Sequence, residues 1–286
     1  MKILVELKNK IQGKQESDGL ILALKDFSVQ STVTYTKEEI KDIVESYPDK
    51  EIFISINKNI FNKEIEPLKE VLLYLDKLNI KGIFFYDLAI LQLKKELNLK
   101  TDLVWNQTYM VNNYKTCNYY YSKGVKYALL SKEITLEEII EIVNKSQINT
   151  MVEVLSLPSV AFSKRKLITN YYKDLNKDSK EELTVIEKTT NQEYKITEDE
   201  TGTNFFLNTI TNGTSIIKDL FNVNVSYIIM RETGIESALF TELVKDTKEY
   251  IKGNCQNNDY IIKYQKLGDN TNFFFKKTIY RVKKNG

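Results

Sequence analysis

Two rhythms of apolar and polar positions alternate along the chain. Short apolar runs, rich in β-branched and aromatic residues, fall at 3–7, 20–24, 52–56, 83–86, 103–105, 127–130 and 150–155. Such runs predict strands. Between them the period lengthens, and 37–46, 64–78, 89–97, 112–123 and 136–144 read as amphipathic helices. Within 64–78, Ile65, Leu68, Leu72, Leu75 and Leu78 stand three or four residues apart with Lys and Glu between them, which gives the helix one apolar face. Thr135, with Glu138 three residues on, is a capping box that opens the next helix. Strand and helix alternating in this way predict βαβ units around a parallel sheet. A last pair at 225–230 and 236–251 brings the repeats to seven or eight. The expected class is α/β, a TIM-type (β/α)8-like barrel, whose usual length is about 250 residues. The pattern alone leaves both a closed and an incomplete barrel open.

The alternation breaks after Leu155. Residues 163–172 are polar and basic, and 173–182 form a charged connector without an apolar period. Segments 183–187 and 192–198 flank Thr189-Thr190-Asn191 and predict a β-hairpin insertion on the barrel rim. The chain then divides into a barrel domain over 1–259, with its rim insertion at 173–208, and a basic, aromatic C-terminal extension over 260–286. That extension carries Phe273-Phe274-Phe275 ahead of Lys276, Lys277, Arg281, Lys283 and Lys284.

Composition narrows the chemistry. The 286 residues are 42% hydrophobic and 28% charged, an ordinary soluble balance. Forty-one Lys and Arg against 39 Asp and Glu give a net charge of +2, so a site for a polyanion has to be local. The absence of histidine removes Ser-His-Asp and Cys-His hydrolases, His-ligated metals and imidazole proton shuttles. Two cysteines, Cys117 and Cys255, are too few for an iron–sulfur cluster, and both are expected to stay reduced. No metal and no cofactor is expected. Ten scattered glycines form neither a dinucleotide-binding nor a phosphate-binding loop motif. The apolar run before Glu6 is too short for a signal peptide, and no stretch reaches the roughly 18 apolar residues of a membrane span. A cytoplasmic protein without membrane contact is the expectation.

In a barrel of this class the active face is built from the C-terminal ends of the strands. Those ends hold Asn57, Asp87, Asn106, Gln107, Glu133 and Glu153. Asp87, Glu133 and Glu153 are the candidate catalytic carboxylates, although Asp87 and Glu133 suit helix N-termini equally well. Ser163-Lys164-Arg165-Lys166 groups three cations that suit a phosphate or carboxylate, with a solvated basic turn as the alternative. Tyr171 and Tyr172 follow, and Tyr119-Tyr120-Tyr121 lies on another rim segment. Aromatics beside cations suit base stacking on single-stranded RNA, and burial is the competing use.

The run Glu153-Val154-Leu155-Ser156-Leu157-Pro158-Ser159-Val160-Ala161-Phe162-Ser163-Lys164-Arg165-Lys166-Leu167-Ile168-Thr169-Asn170-Tyr171 resembles the signature of the peptidase U32, or collagenase-like, family. Glu198-Asp199-Glu200-Thr201-Gly202-Thr203, running on to Asn208, resembles that family's second block. The stretch 273–280 is similar to the ending of a short branch of the family. The resemblance implies a barrel of βα units, and RNA-base or quinone hydroxylation in several branches through a four-iron–four-sulfur cluster held by cysteines. For the short branch it implies 5-hydroxyuridine formation at the tRNA wobble position, generally alongside a longer paralogue.

This sequence departs from the signature where the chemistry would sit. The family's turn histidine falls on Leu155, its glycine on Ser156, and its first two cysteines on Ser159 and Lys166. Arg165, Asn170, Asp199, Gly202 and Thr203 keep the pattern. The resemblance therefore implies a cluster-less subunit in tRNA wobble-uridine 5-hydroxylation. Its anion or substrate site would draw on Lys164, Arg165, Lys166, Asn170, Tyr171, Asn57, Asn106, Gln107 and Asp199, and its partners would be tRNA and a longer U32 paralogue. Two alternatives stand beside it. One is a collagenase-like peptidase in which Glu133 and Glu153 act as acid and base; the other is a non-catalytic degenerate barrel within an oligomer.

Overall fold

Each of the eight apolar runs becomes a strand, and the strands close on themselves. The computed structural model describes residues 1–180, 182–255 and 257–268. Its barrel strands are β1 (Lys2–Glu6), β2 (Gly19–Ala23), β3 (Glu51–Ile56), β4 (Gly82–Phe85), β5 (Asp102–Trp105), β6 (Tyr127–Leu129), β7 (Asn149–Ser156) and, after an insertion of five strands, β13 (Tyr227–Arg231). All neighbours run parallel. The ring shuts where Tyr127 of β6 meets Asn149 of β7, and where Lys2 of β1 meets Tyr227 of β13. Closure leaves the eight barrel strands without a free edge, which suits strands this short.

Parity along each strand decides what faces inward. Leu4, Ile21, Phe53, Phe84, Val104, Met151 and Ile229 fill the barrel, and their neighbours Ile3, Val5, Leu20, Ile54, Ile83 and Ile228 pack outward against the helices. Toward the strands' N-terminal ends the interior is a plug of rings: Phe53 stands edge-on to Tyr227 at 5.5 Å and to Tyr127 at 6.1 Å. This end is sealed by packing, which leaves the opposite mouth for chemistry.

The outer helices are α1 (Lys37–Ser46), α2 (Ile65–Leu75), α3 (Ala89–Glu96), α4 (Tyr114–Ser122), α5 (Leu136–Lys145), α7 (Ile217–Asn222) and α8 (Ser237–Lys252), with α6 (Leu167–Asp174) in the insertion. Thr135 and Glu138 form the expected capping box on α5, and Thr36 with Glu39 builds a second one on α1. Residues 7–18 join β1 to β2 without a helix. A last helix, α9 (Asn257–Tyr264), lies on α8 with Tyr260 stacked on Tyr250 at 4.3 Å. The part of the C-terminal extension at 269–286, including Phe273 to Lys284, lies outside the described residues. Among the described residues no helix is long and apolar enough to cross a membrane.

The rim insertion is larger than a hairpin. The expected hairpin forms from β9 (Glu182–Ile186) and β10 (Glu193–Asp199), and β11 (Gly202–Leu207) and β8 (Ser159–Ser163) extend it into a four-stranded antiparallel sheet ordered β8-β11-β10-β9. The two-residue β12 (Thr211–Asn212) pairs with the end of β7 and leads the chain back to the barrel. This sheet stands beside the mouth opposite the ring plug.

Candidate functional site

Three strands present charged residues on their inward parity near their C-terminal ends: Glu6 follows Leu4, Glu153 follows Met151, and Arg231 follows Ile229. Arg231 Nε donates to Glu153 Oε2 at 2.7 Å, and its Nη1 pairs with Glu6 Oε2. Lys132, from the loop after β6, pairs with the other oxygen of Glu153. Ser31 Oγ donates to Glu6 Oε1 at 3.0 Å. Two carboxylates and two cations alternate in one chain, which is how buried charge is tolerated. Burial pushes the Arg231 guanidinium down to about 10. The β7–β13 register slips at this level, Ile229 facing Glu153 and Met230 facing Leu155. That bulge leaves Val154, next to Glu153, without a partner on β13.

Above this floor opens a cavity of about 490 Å³, within the range of small-molecule sites. Its walls come from Asn57, Lys58 and Phe61 after β3, Tyr86 after β4, Asn106 and Tyr109 after β5, and Phe162, Lys164 and Phe206 of the rim sheet. Four of the residues expected from the sequence meet here: Asn57, Asn106, Glu153 and Lys164. Not all of them are free to bind. The Asn57 carboxamide accepts from Val29 N at 2.8 Å and donates to Val29 O at 3.0 Å, so it clamps a loop. Asn106 makes no side-chain hydrogen bond among the described residues and faces the cavity.

The other expected residues build the surroundings. Gln107 accepts from the Trp105 indole at 3.0 Å and donates to the Tyr86 carbonyl at 2.8 Å, fixing one wall from behind. Asp87 accepts from Ile60 N at 2.8 Å and from Ala89 N at 2.9 Å, which makes it a loop and helix cap. Glu133 does not line the cavity, so the expected Glu133–Glu153 acid–base pair does not meet across it. Glu153 instead faces two cations.

The three consecutive cations part company. Lys164 places its ammonium 3.5 Å from the centre of the Phe61 ring, at the cavity mouth. Burial first, and then Lys58 and Lys63, push it below the usual lysine range against the pull of Glu64. Lys166 donates to the Asp199 carbonyl, and Arg165, Asn170 and Tyr171 are exposed outside the cavity. Asp199 accepts from Thr201 N at 2.8 Å and from the Asn204 amide at 3.1 Å, so it shapes the β10–β11 turn. Gly202 in that turn has φ of 144°, and a side chain there would strike the Ser163 carbonyl. Thr203 accepts from Leu167 N at 2.9 Å and lies 2.7 Å from the Arg165 carbonyl. Most of the residues that keep the family pattern therefore join the rim sheet to α6.

Glu6, Lys132, Arg231 and Phe61 were not singled out from the sequence. For Glu6 and Arg231 the signal was present: each is a charge at the end of an apolar strand run, on the same parity as residues that fill the barrel. Lys132 and Phe61 lie in loops, where no periodicity marks them.

The sequence profile of peptidase family U32 matches residues 8–266. The chain belongs to peptidase family U32. A tRNA hydroxylation protein P2 of Bacillus subtilis is 26% identical over 275 residues, covering 86% of this U32 chain and 87% of that protein. An uncharacterised protease of Methanocaldococcus jannaschii is 25% identical over 163 residues, which cover 54% of this chain and 39% of that protein. The solved structure of a U32 peptidase superposes with a TM-score of 0.42 at 17% identity, over 61% of this chain and 75% of that one.

The residues of this U32 protein do not fit the iron–sulfur cluster that the family resemblance implies. At the two signature cysteine positions stand Ser159, whose hydroxyl donates to the Phe205 carbonyl at 3.5 Å, and Lys166, a cation spent on the Asp199 carbonyl. Cys117 is buried in α4, where burial pushes its thiol up to about 12, and Cys255 is half-buried just beyond α8. Neither lines the cavity. Among the described residues no three of His, Cys, Asp and Glu group as metal ligands.

Proposed function

We propose that this U32 protein serves tRNA wobble-uridine 5-hydroxylation as a cluster-less subunit that binds RNA or an anionic substrate. A longer, cysteine-bearing U32 paralogue supplies the oxidation chemistry. The observation that carries this reading is a cavity with Lys164 at its mouth, above a charge-balanced floor of Arg231, Lys132, Glu153 and Glu6, in a chain whose cysteines both lie away from it. Similarity to a tRNA hydroxylation protein along 86% of the chain supports the choice of substrate. Arg231 and Lys132 hold Glu153 in the floor, Gln107 and Asn57 fix the walls, and Lys164 offers a cation at the mouth for an anion.

The test is genetic and chemical. Deleting the gene and digesting total tRNA should show loss of 5-hydroxyuridine, restored by the wild-type chain and not by Lys132→Met. Undiminished 5-hydroxyuridine in the deletion strain overturns the reading. Co-purification of a tagged chain with the longer paralogue tests the subunit role on its own.

A further inference from the structure

Three consecutive loops at the barrel mouth expose large apolar side chains side by side. Phe61 follows β3, Tyr86 and Leu88 follow β4, and Tyr109 and Met110 follow β5. All five are exposed, from 36% for Tyr86 to 64% for Met110. Because β3, β4 and β5 are neighbours in the barrel, the five side chains form one arc of the rim. Phe61, Tyr86 and Tyr109 also line the cavity. Isolated exposed apolar residues are ordinary, but a contiguous group bordering a cavity marks a binding surface.

Charge identifies the occupant. These loops hold two acids, Glu64 and Asp87, and both are spent internally. Glu64 pairs with Lys58 at 2.8 Å and accepts from Phe61 N at 2.8 Å, while Asp87 accepts the Ile60 and Ala89 amides. Lys63 is exposed and Lys164 rests on the Phe61 ring, and among the described residues neither has a carboxylate within ion-pair distance. Lys164 on the Phe61 ring and the exposed Lys63, with Glu64 and Asp87 both engaged, suit a strand that offers both bases and phosphates.

We propose that this arc docks an unpaired RNA strand, with bases stacked on Phe61, Tyr86 and Tyr109 and phosphates at Lys63 and Lys164. The proposal rests on the tRNA reading above and adds which surface of this chain holds the RNA. A duplex hides its base faces, so the surface selects a loop over a helix.

Fluorescence anisotropy on the full chain tests it, with a labelled RNA stem–loop and a blunt duplex of the same stem as probes. The stem–loop should bind at least about tenfold more tightly than the duplex. Phe61→Leu and Tyr109→Leu keep an apolar surface but lose the ring, and each should weaken the stem–loop about fivefold or more, as loss of a stacked base does, without changing duplex binding. Thermal melts confirm that the variants fold. Equal binding of loop and duplex, or variants that bind the loop like the wild type, overturn the proposal. Variants that keep RNA binding but lose the longer paralogue in co-purification place a protein on the arc and also overturn it. Ring-dependent loop binding alongside undiminished 5-hydroxyuridine in the deletion strain leaves the arc standing and sinks the hydroxylation reading.

Discussion

Arg231 Nε lies 2.7 Å from Glu153 Oε2, and the same guanidinium reaches Glu6 on its other side. One cation on β13 thereby ties the two strands that flank it, β7 and β1, at the level of the cavity floor. The Glu153 side chain is 1% exposed, so losing a partner leaves its charge poorly solvated. Arg231→Met should cost about 3 kcal/mol or more, the usual penalty for stranding one partner of a buried pair. The denaturant midpoint of the purified variant measures it. Adding Glu153→Gln should recover part of the loss, because the two changes share one interaction. A midpoint equal to that of the wild type would show that the charge chain is not structural.

Gln107 links the only tryptophan of the chain to the cavity wall. Gln107→Leu leaves the buried Trp105 indole without its acceptor and frees the Tyr86 carbonyl, which should cost about 1–3 kcal/mol. Gln107→Glu keeps the acceptor for the indole but loses the donor to Tyr86. The Leu variant should therefore shift tryptophan emission and the Glu variant should not, while both loosen the Tyr86 loop. Identical emission from the Leu variant and the wild type would contradict this coupling.

Glu198 should make the rim sensitive to acid. Burial works to raise its carboxyl, but hydrogen bonds from Thr169, Thr203 and the amides of Ile168 and Thr169 outweigh it and hold the group below its ordinary 4.5. Between the folded value and 4.5 the unfolded chain binds more protons. The contribution of this group is therefore complete above 4.5 and is lost as pH falls through the folded value. Hydrogen-exchange protection at Ile168 and Thr169 should decline in that acid window. Glu198→Gln should remove the dependence and, as a weakened helix cap, cost about 1 kcal/mol at neutral pH. A variant with the same acid response as the wild type would exclude Glu198 as its source.

The barrel is legible in the sequence because each strand is a concentrated apolar run, and α1 falls at 37–46 as its pattern predicts. Helix α2 stops at Leu75 rather than Leu78, although Leu78 still packs against the core. The rim sheet is less legible, since β8 and β9 bury little and Ser159 pairs with Phe206, a partner far along the chain. The strand-end rule locates Glu153 and Asn106 because parity and position both survive in sequence. Sequence adjacency misleads at Lys164, Arg165 and Lys166, where one turn sends three neighbours to a ring, to solvent and to a carbonyl. Asp87 and Gln107 sit at the right height in the barrel, but backbone amides and the Trp105 indole take their polar atoms, which no spacing reveals.

Lys166 bears directly on metal chemistry. At a position where the family resemblance places a cysteine, an ammonium group donates to the Asp199 carbonyl and helps fasten α6 to the β10–β11 turn. A thiolate cluster needs deprotonated sulfur ligands brought together, and Cys117 is raised to about 12 in the core of α4. Anaerobic reconstitution with ferrous iron and sulfide should therefore leave the protein without the visible charge-transfer band of a cluster, and desalting should remove the iron. Lys166→Cys with Ser159→Cys should not restore the band, because Cys117 is buried in α4 and Cys255 lies beyond α8, and two rim thiolates fall short of the four that such clusters take. Stoichiometric iron and acid-labile sulfide retained by the wild-type chain would overturn the proposed cluster-less role and place cluster chemistry in this chain.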